Sequence, residues 1–261
     1  MHINLSRKNA LVGGGSDGIG KAIAQQLAES GASATVMSHS EDKLKAIVEA
    51  FPTGQGQKHQ VLVADFNDFE DYKQQITAYF EKNTVDILVN NTQGPSAGTA
   101  LEKEIEDYQQ AFDLLFKVNV FTTELALKHM RKQQWGRVIN VASVSVKEPK
   151  PDLVLSNTLR AALVTWAKSL SREVGPDQIT VNSVLTGYFD TQRLVNLNAK
   201  KAKERGVDQA EIRKEMEAKV PVRRIGNPEE YGYLVSFLAS DKAAYISGTQ
   251  IPIDGGALKG M

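Results

Sequence analysis

The chain has no cysteine. Disulfides, thiolate nucleophiles and cysteine-ligated metals are therefore excluded. Histidine is scarce: His2, His39, His59 and His129 are scattered and form no ligand cluster in sequence. Charge of one sign is absent too, because 31 Lys+Arg balance 31 Asp+Glu. Such a balance gives no basic surface for nucleic acid or an anionic membrane. No apolar run approaches the ~20 residues that a membrane-spanning helix needs. Met1-His2-Ile3-Asn4 lacks the charged-then-apolar pattern of an export signal. The expectation is a cytoplasmic soluble protein with neither nucleic acid nor membrane as partner. No linker, internal repeat or low-complexity segment interrupts the 261 residues, so one domain over residues 1–261 is expected.

What the chain does have is glycine in one place. Gly13–Gly20 reads Gly-Gly-Gly-Ser-Asp-Gly-Ile-Gly, after the apolar run Asn9–Val12 and before Ile19, Ile23 and Leu27 at helical spacing. A strand turning sharply into a helix brings several backbone N–H groups to one point. Side chains there would hold a phosphate away, so glycine is required, and the helix N-terminus adds partial positive charge. Gly14, Gly18 and Gly20, with Ser16, Asp17 and Ile19 between them, are the candidate pyrophosphate cradle.

Apolar runs then alternate with helical periods to the end of the chain. Strands are expected at Ala34–Met37, Gln60–Ala64, Val85–Asn90, Arg137–Val141, Ile179–Val184 and Gln250–Ile253. Helices are expected from Ser40 as N-cap, from Asn67 or Asp68 to about Lys82, over Glu102–Lys132 with a bend near Val118, over Leu155–Glu173, and over Pro228–Ala239. The charged stretch Ala199–Lys219 reads as one or two exposed helices, with residues 191–219 a flap over the substrate. This alternation predicts a doubly wound α/β fold, a Rossmann-type parallel sheet of about seven strands with helices on both faces. Ligands of such sheets bind beyond the carboxyl ends of the strands.

The residues just after each strand are therefore the candidates. After the second strand come Ser38 and His39, with no carboxylate to accept from a ribose 2′-hydroxyl. A protonated His39 could pair with a 2′-phosphate, which leans to NADP. Asp17 in the cradle would repel a phosphate and leans to NAD, and His39 reads equally as an exposed loop residue. After the third strand, Asp65 could accept from an adenine amino group or serve as a turn residue, and Phe66 follows it. Asn90 and Asn91, after the fourth, could tie neighbouring backbone groups and hold the groove floor, or form an ordinary turn. After the fifth, Ser143 points a hydroxyl into the crevice or caps a turn.

With these motifs assembled, the chain resembles the short-chain dehydrogenase/reductase superfamily, and more narrowly its 3-oxoacyl-[acyl-carrier-protein]-reductase-like group. The resemblance runs from about Leu5 to Gly256. It is carried by Val12–Gly20, Asp65, Asn90–Gly94, Asn119 in Lys117-Val118-Asn119-Val120, Gly136–Ser143, Val181–Gly187 with Thr186 where proline is usual, and Asp254-Gly255-Gly256. It implies a NAD(P)-dependent oxidoreductase acting on a small carbonyl or alcohol, possibly of 3-oxoacyl type, and a homodimer or homotetramer. It gives Asn119 and Ser143 catalytic roles and Asp65 and Gly187 places along the cofactor.

The chain departs from that family at the reaction centre. Where the family has Tyr-x-x-x-Lys, this sequence has Ser156-Asn157-Thr158-Leu159-Arg160, thirteen residues beyond Ser143 and followed by Ala161-Ala162-Leu163. The spacing of four puts Ser156 and Arg160 on one helix face. A serine hydroxyl is shorter and far less acidic than a phenol, and arginine gives up no proton at useful pH. General acid–base catalysis typically contributes about 10²–10⁴-fold. The proton could come through Ser156, through Tyr188 after Thr186-Gly187, or through Lys147 with a water. The alternative is a dinucleotide-binding sensor or scaffold with weak or no catalysis.

Overall fold

Strand residues of this chain send alternate side chains to opposite faces, and both faces are buried in all but the two edge strands. The computed structural model describes residues 2–260. Seven strands form one parallel sheet: β1 (Asn9–Gly13), β2 (Ser33–Ser38), β3 (Gln60–Val63), β4 (Ile87–Asn90), β5 (Gly136–Ser143), β6 (Ile179–Thr186) and β7 (Gln250–Ile253). Their order across the sheet is β3-β2-β1-β4-β5-β6-β7. Ala10, Val12, Ile87, Val89, Ile139 and Val141 pack into one core, whereas Leu11, Leu88 and Val138 pack into the other. That division is the period of two of a strand covered on both sides.

The first core lies under α1 (Gly18–Glu29), α2 (Glu41–Glu49) and a late helix, Pro228–Ala239. The second lies under α3 (Phe69–Lys82) and the helices between β4 and β6. Complete burial of Ile23, Leu27, Leu44 and Val235 on one side, and of Tyr72 and Ile76 on the other, drives this docking. Each such side chain contributes roughly 1.5–3 kcal/mol.

The stretch expected as one bent helix is two. α4 (Ile105–Phe112) runs into a wider π-type turn, Asp113–Lys117, and then α5 (Val118–Gln133). Val118 N–H reaches back five residues to Asp113 O, so the regular α-helical bonding is interrupted just before Val118, where a break or bend was expected. α6 (Val154–Val174) follows β5, and the charged stretch forms α7 (Gln192–Arg205) and α8 (Gln209–Lys219). The last helix, α9 (Pro228–Ala239), keeps its expected bounds. Strands β5 and β6 run to Ser143 and Thr186, further than their apolar runs suggest, because both pair along their full length. Ser40 stands at the N-cap of α2, but its side chain makes no capping bond. No helix among the described residues is long and apolar enough to cross a membrane.

The start of α9 shows how a charge sets a helix end. Glu230 accepts from Asn227 N–H at 2.8 Å, closing a capping box, and takes Arg224 bidentately at 2.7 and 2.6 Å. Arg224 first, and the Asn227 N–H second, pull the Glu230 carboxyl down to about 2. A depressed carboxyl stabilises the fold above its ordinary range and loses that contribution as pH falls towards the folded value. The pair is exposed, so screening limits it to about 1 kcal/mol. Glu230→Gln should therefore cost about 1 kcal/mol at neutral pH in urea unfolding. Its deficit should shrink as pH falls below 4.5 towards 2. A pH-independent deficit would assign the effect to the cap alone.

Candidate active site

A cavity of about 430 Å³ opens beyond the carboxyl ends of the strands. Its walls come from the segments that follow β1, β2, β3, β4, β5 and β6, joined by the first turns of α6 and α7. Segments far apart in sequence meet there because every strand points the same way.

The cradle forms one end. Gly14, Ser16, Asp17, Gly18, Ile19 and Gly20 all line the cavity. Gly14 has φ +56°, and a Cβ on it would sit 2.7 Å from Asn91 Nδ2. Asn91 Nδ2 donates to Gly13 O at 2.9 Å. This asparagine ties the β1 turn to the end of β4, as its position suggested. Asp17 is the N-cap of α1 and accepts from Gly18 N–H at 2.7 Å. Ser38 and His39 also line the wall, at the end of β2.

Ser143, Ser156, Arg160 and Gly187 line the other end, with Phe66 also in the wall. Ser143 closes β5, and its Oγ accepts from Ser145 N–H at 3.1 Å. Ser156 and Arg160 enter from one face of α6. Arg160 is buried, and its Nη1 donates to Val141 O at 2.6 Å. Burial first, then the positive charge of Arg193, push the Arg160 guanidinium down to about 10, against the pull of Tyr231. Among the described residues no carboxylate pairs with Arg160, so the cavity carries a buried cation offset only by that carbonyl. Arg193 lines the same wall, close enough to Gly94 that a Cβ there would come within 2.3 Å of its Nη2.

Four candidates do not line the cavity: Asp65, Asn90, Asn119 and Lys147. Asp65 is exposed, and its Oδ1 accepts from Asn67 N–H at 2.9 Å and Asn67 Nδ2 at 2.8 Å. Asn90 is buried behind the site and donates to Thr123 Oγ1 and Asn140 Oδ1, so it ties side chains where backbone groups were expected. Asn119 is buried and donates to Leu115 O at 2.8 Å across the π-type turn. Its carboxamide N–H holds the bend that the turn creates.

Of the tyrosines, Tyr188 lines the cavity, and Lys150 Nζ donates to its Oη at 3.1 Å. Lys147 is exposed and lies outside the wall. Tyr231 is fully buried and bonded to Val184 O and Thr186, and burial pushes its phenol up. Sequence reasoning passed over Thr92, Lys150 and Arg193. Nothing in the sequence marks Lys150 as the partner of a residue 38 positions away.

The cradle and buried cation suit a dinucleotide. A Cβ on Gly20 would fill the space beside Gly14 O, and Thr92 Oγ1, in a residue of the same wall, is buried with no partner. Residues 14–257 match the enoyl-(acyl carrier protein) reductase family. The chain belongs to the short-chain dehydrogenase/reductase superfamily. It is 31% identical to the 3-oxoacyl-[acyl-carrier-protein] reductase FabG of Aquifex aeolicus, over 98% of this chain and 99% of that protein. It is 29% identical to the NADPH-dependent reductase BacG of Bacillus subtilis, over 98% of this chain and 100% of that one. The L-sorbose reductase of Gluconobacter frateurii, solved with NADPH and L-sorbose, superposes with a TM-score of 0.93 at 28% identity, covering 100% of both chains. Membership of this superfamily accounts for the seven-stranded order and for the cavity's place beyond the strand ends.

Proposed function

We propose that this protein is an NADP(H)-dependent oxidoreductase that moves a hydride between the nicotinamide and the carbonyl or alcohol carbon of a small molecule. The observation that carries the reading is one cavity walled by the glycine cradle at one end and by Ser143, Ser156 and Arg160 at the other. Full-length similarity to reductases supports the class and outweighs the Ser156 and Arg160 departure on which the sensor alternative rests. The dinucleotide supplies the hydride when bound. The chain binds, orients and protonates.

In this reading the cradle N–H groups hold the diphosphate. Ser38 and His39 take the 2′-phosphate, since no carboxylate follows β2; Asp17, which also lines that end, is engaged as the N-cap of α1. Phe66, Asn91 and Gly187 line the rest of the cofactor, and Arg160 donates to ribose hydroxyls from its buried position. Ser143 donates to the substrate oxygen, beside Ser156. Ser156 and Arg160 stand where the superfamily has its tyrosine and lysine. Asn119 contributes by fixing the bend. Residues 191–219 form the substrate flap. A 3-oxoacyl thioester or a keto-sugar is the first substrate class to test, following the relatives. A cytoplasmic homodimer or homotetramer completes the proposal.

Fluorescence titration with NADPH and NADH tests it. NADPH should bind at least about tenfold more tightly, a difference of ~1.4 kcal/mol. His39→Asp should remove the preference by placing a carboxylate beside the 2′ position. A panel of ketones, aldehydes, keto-sugars and 3-oxoacyl thioesters should then reveal cofactor oxidation. Equal affinity for both dinucleotides would overturn the NADP assignment, and failure to bind either would overturn the reading as a whole.

A further inference from the structure

Seven tyrosines are present, and Tyr188 is the one that, among the described residues, lines the cavity. It follows Thr186-Gly187 at the end of β6, so the strand that carries the sheet's register also aims this side chain. Its backbone is held from the other side, where Gly226 N–H donates to Tyr188 O at 3.0 Å. The ring rests against the cluster that joins α7 and α8. Lys150 approaches from the loop between β5 and α6, with Nζ 3.1 Å from Tyr188 Oη and 4.4 Å from the ring centroid. That loop is pinned to α6, since Asn157 Nδ2 donates to Lys150 O at 2.8 Å and Leu153 N–H at 3.1 Å. Asn157 is the residue next to Ser156. Tyr188 thus shares the cavity wall with Ser143, and Lys150 holds its phenol from outside that wall, although α6 itself supplies neither.

We infer that Tyr188 is the proton donor of the reaction and that Lys150 positions and recharges it. The inference rests on the oxidoreductase reading above. Lys150 has no acceptor lone pair when protonated, so it donates to Tyr188 Oη and leaves the phenol O–H free for the substrate. In the reducing direction the carbonyl carbon gains the hydride of a reduced nicotinamide dinucleotide, which is oxidised. The C=O π pair moves to oxygen, and that oxygen takes the Tyr188 proton. The phenolate then takes a proton from the Lys150 ammonium, and the amine recovers one from solvent. The net change is one carbonyl, one reduced dinucleotide and one proton converted to an alcohol and the oxidised dinucleotide. Ser156 keeps a place in the wall without carrying the proton.

Tyr188→Phe keeps the ring and its packing, so it should fold with an unchanged melting temperature. It should lower kcat for any carbonyl the wild type reduces by about 10²-fold, with NADPH affinity by fluorescence within twofold of wild type. Lys150→Met should lower kcat with little change in KM, and Lys150→Arg should restore part of it. Ser156→Ala should lose less than tenfold. A second readout needs no turnover: protein labelled with ¹³Cζ-tyrosine, in which the Tyr188 resonance is the one missing from Tyr188→Phe. That resonance should move in Lys150→Met and again on adding NADPH. If the wild type neither binds nor oxidises NADPH, the oxidoreductase reading fails. If it turns over and Tyr188→Phe keeps its rate, or Ser156→Ala loses the 10²-fold instead, the assignment to Tyr188 is overturned. It is equally overturned if the Tyr188 resonance ignores both Lys150→Met and NADPH.

Discussion

Gly20→Val should weaken NADPH binding by about 10²–10³-fold, or ~2.7–4.1 kcal/mol, and lower the melting temperature as well. A Cβ at Gly20 would lie 2.0 Å from Gly14 O and 2.8 Å from Asn91 Nδ2. Neither atom can yield alone. Gly14 sits at φ +56°, and Asn91 Nδ2 is engaged with Gly13 O. The first turn of α1 must therefore move away from the end of β1, which spreads the N–H groups that would converge on a diphosphate. Forcing such volume into a close contact typically costs ~1–3 kcal/mol in stability. Gly54→Ala is the matched control, because a Cβ there meets nothing within 4 Å. Binding by fluorescence and unfolding by calorimetry read the two effects separately. An unchanged affinity in Gly20→Val would mean that the diphosphate is held somewhere other than this turn.

Arg137→Leu should cost about 3 kcal/mol of stability while leaving NADPH affinity unaltered. Arg137 is the second residue of β5, at the opposite end of that strand from Ser143, and is only 2% exposed. Its Nη1 donates to Gly136 O at 2.8 Å and Gln178 O at 3.2 Å, its Nε to Ser240 O at 3.4 Å, and its Nη2 meets Asp241 at 3.4 Å. The guanidinium lies 4.2 Å from the Trp135 ring centroid. Burial pushes its pKa down and Asp241 pushes it back up, but it stays charged at any ordinary pH. Leucine fills part of the volume and removes the guanidinium's bonds to three carbonyl oxygens, of which Ser240 O keeps a donor in Ala243 N–H at 3.3 Å. Each unsatisfied buried acceptor costs ~1–3 kcal/mol, reduced where water reaches it. Asp241 is exposed and loses little. Urea unfolding should show the loss, and thermal unfolding should fall by roughly 6–12 °C for a chain of this size. Arg137→Lys should recover less than half, since an ammonium cannot fork between these acceptors. A loss under about 1 kcal/mol would mean that water replaces the guanidinium at little cost.

Much of the fold was legible because its signals are local. Near-continuous apolar runs such as those of β4 and β6 have one outcome, a strand buried on both sides, and α9 kept its expected bounds because Asn227 and Pro228 mark its start. The extension of β5 to Ser143 and β6 to Thr186 was not legible, because the two strands complete each other's hydrogen bonds. That the glycine turn, His39, Asn91, Ser143, Ser156 and Arg160 line one cavity was legible because each follows a strand or repeats at helical spacing. Asp65, Asn90 and Asn119 illustrate the limit. A polar residue beside a crevice can turn into it or spend its hydrogen bonds on a neighbour, and only the neighbour decides. Asp65 found Asn67, Asn90 found Asn140, and Asn119 found a carbonyl freed by a wide turn.

The amino-acid sequence by itself determined the parallel sheet, the glycine turn that lines the cavity and the serine–arginine pair on α6. Periodicity and glycine act over a few residues, and that is the range a sequence displays. Which side chains complete the cavity was decided only by tertiary structure. Lys150 reaches Tyr188, and Arg193 reaches Gly94, because parallel strands bring the segments after β4, β5 and β6 to one end of the sheet. Their meeting is a property of the packing, in which burial of two apolar faces fixes the strands and the loops beyond them fall together.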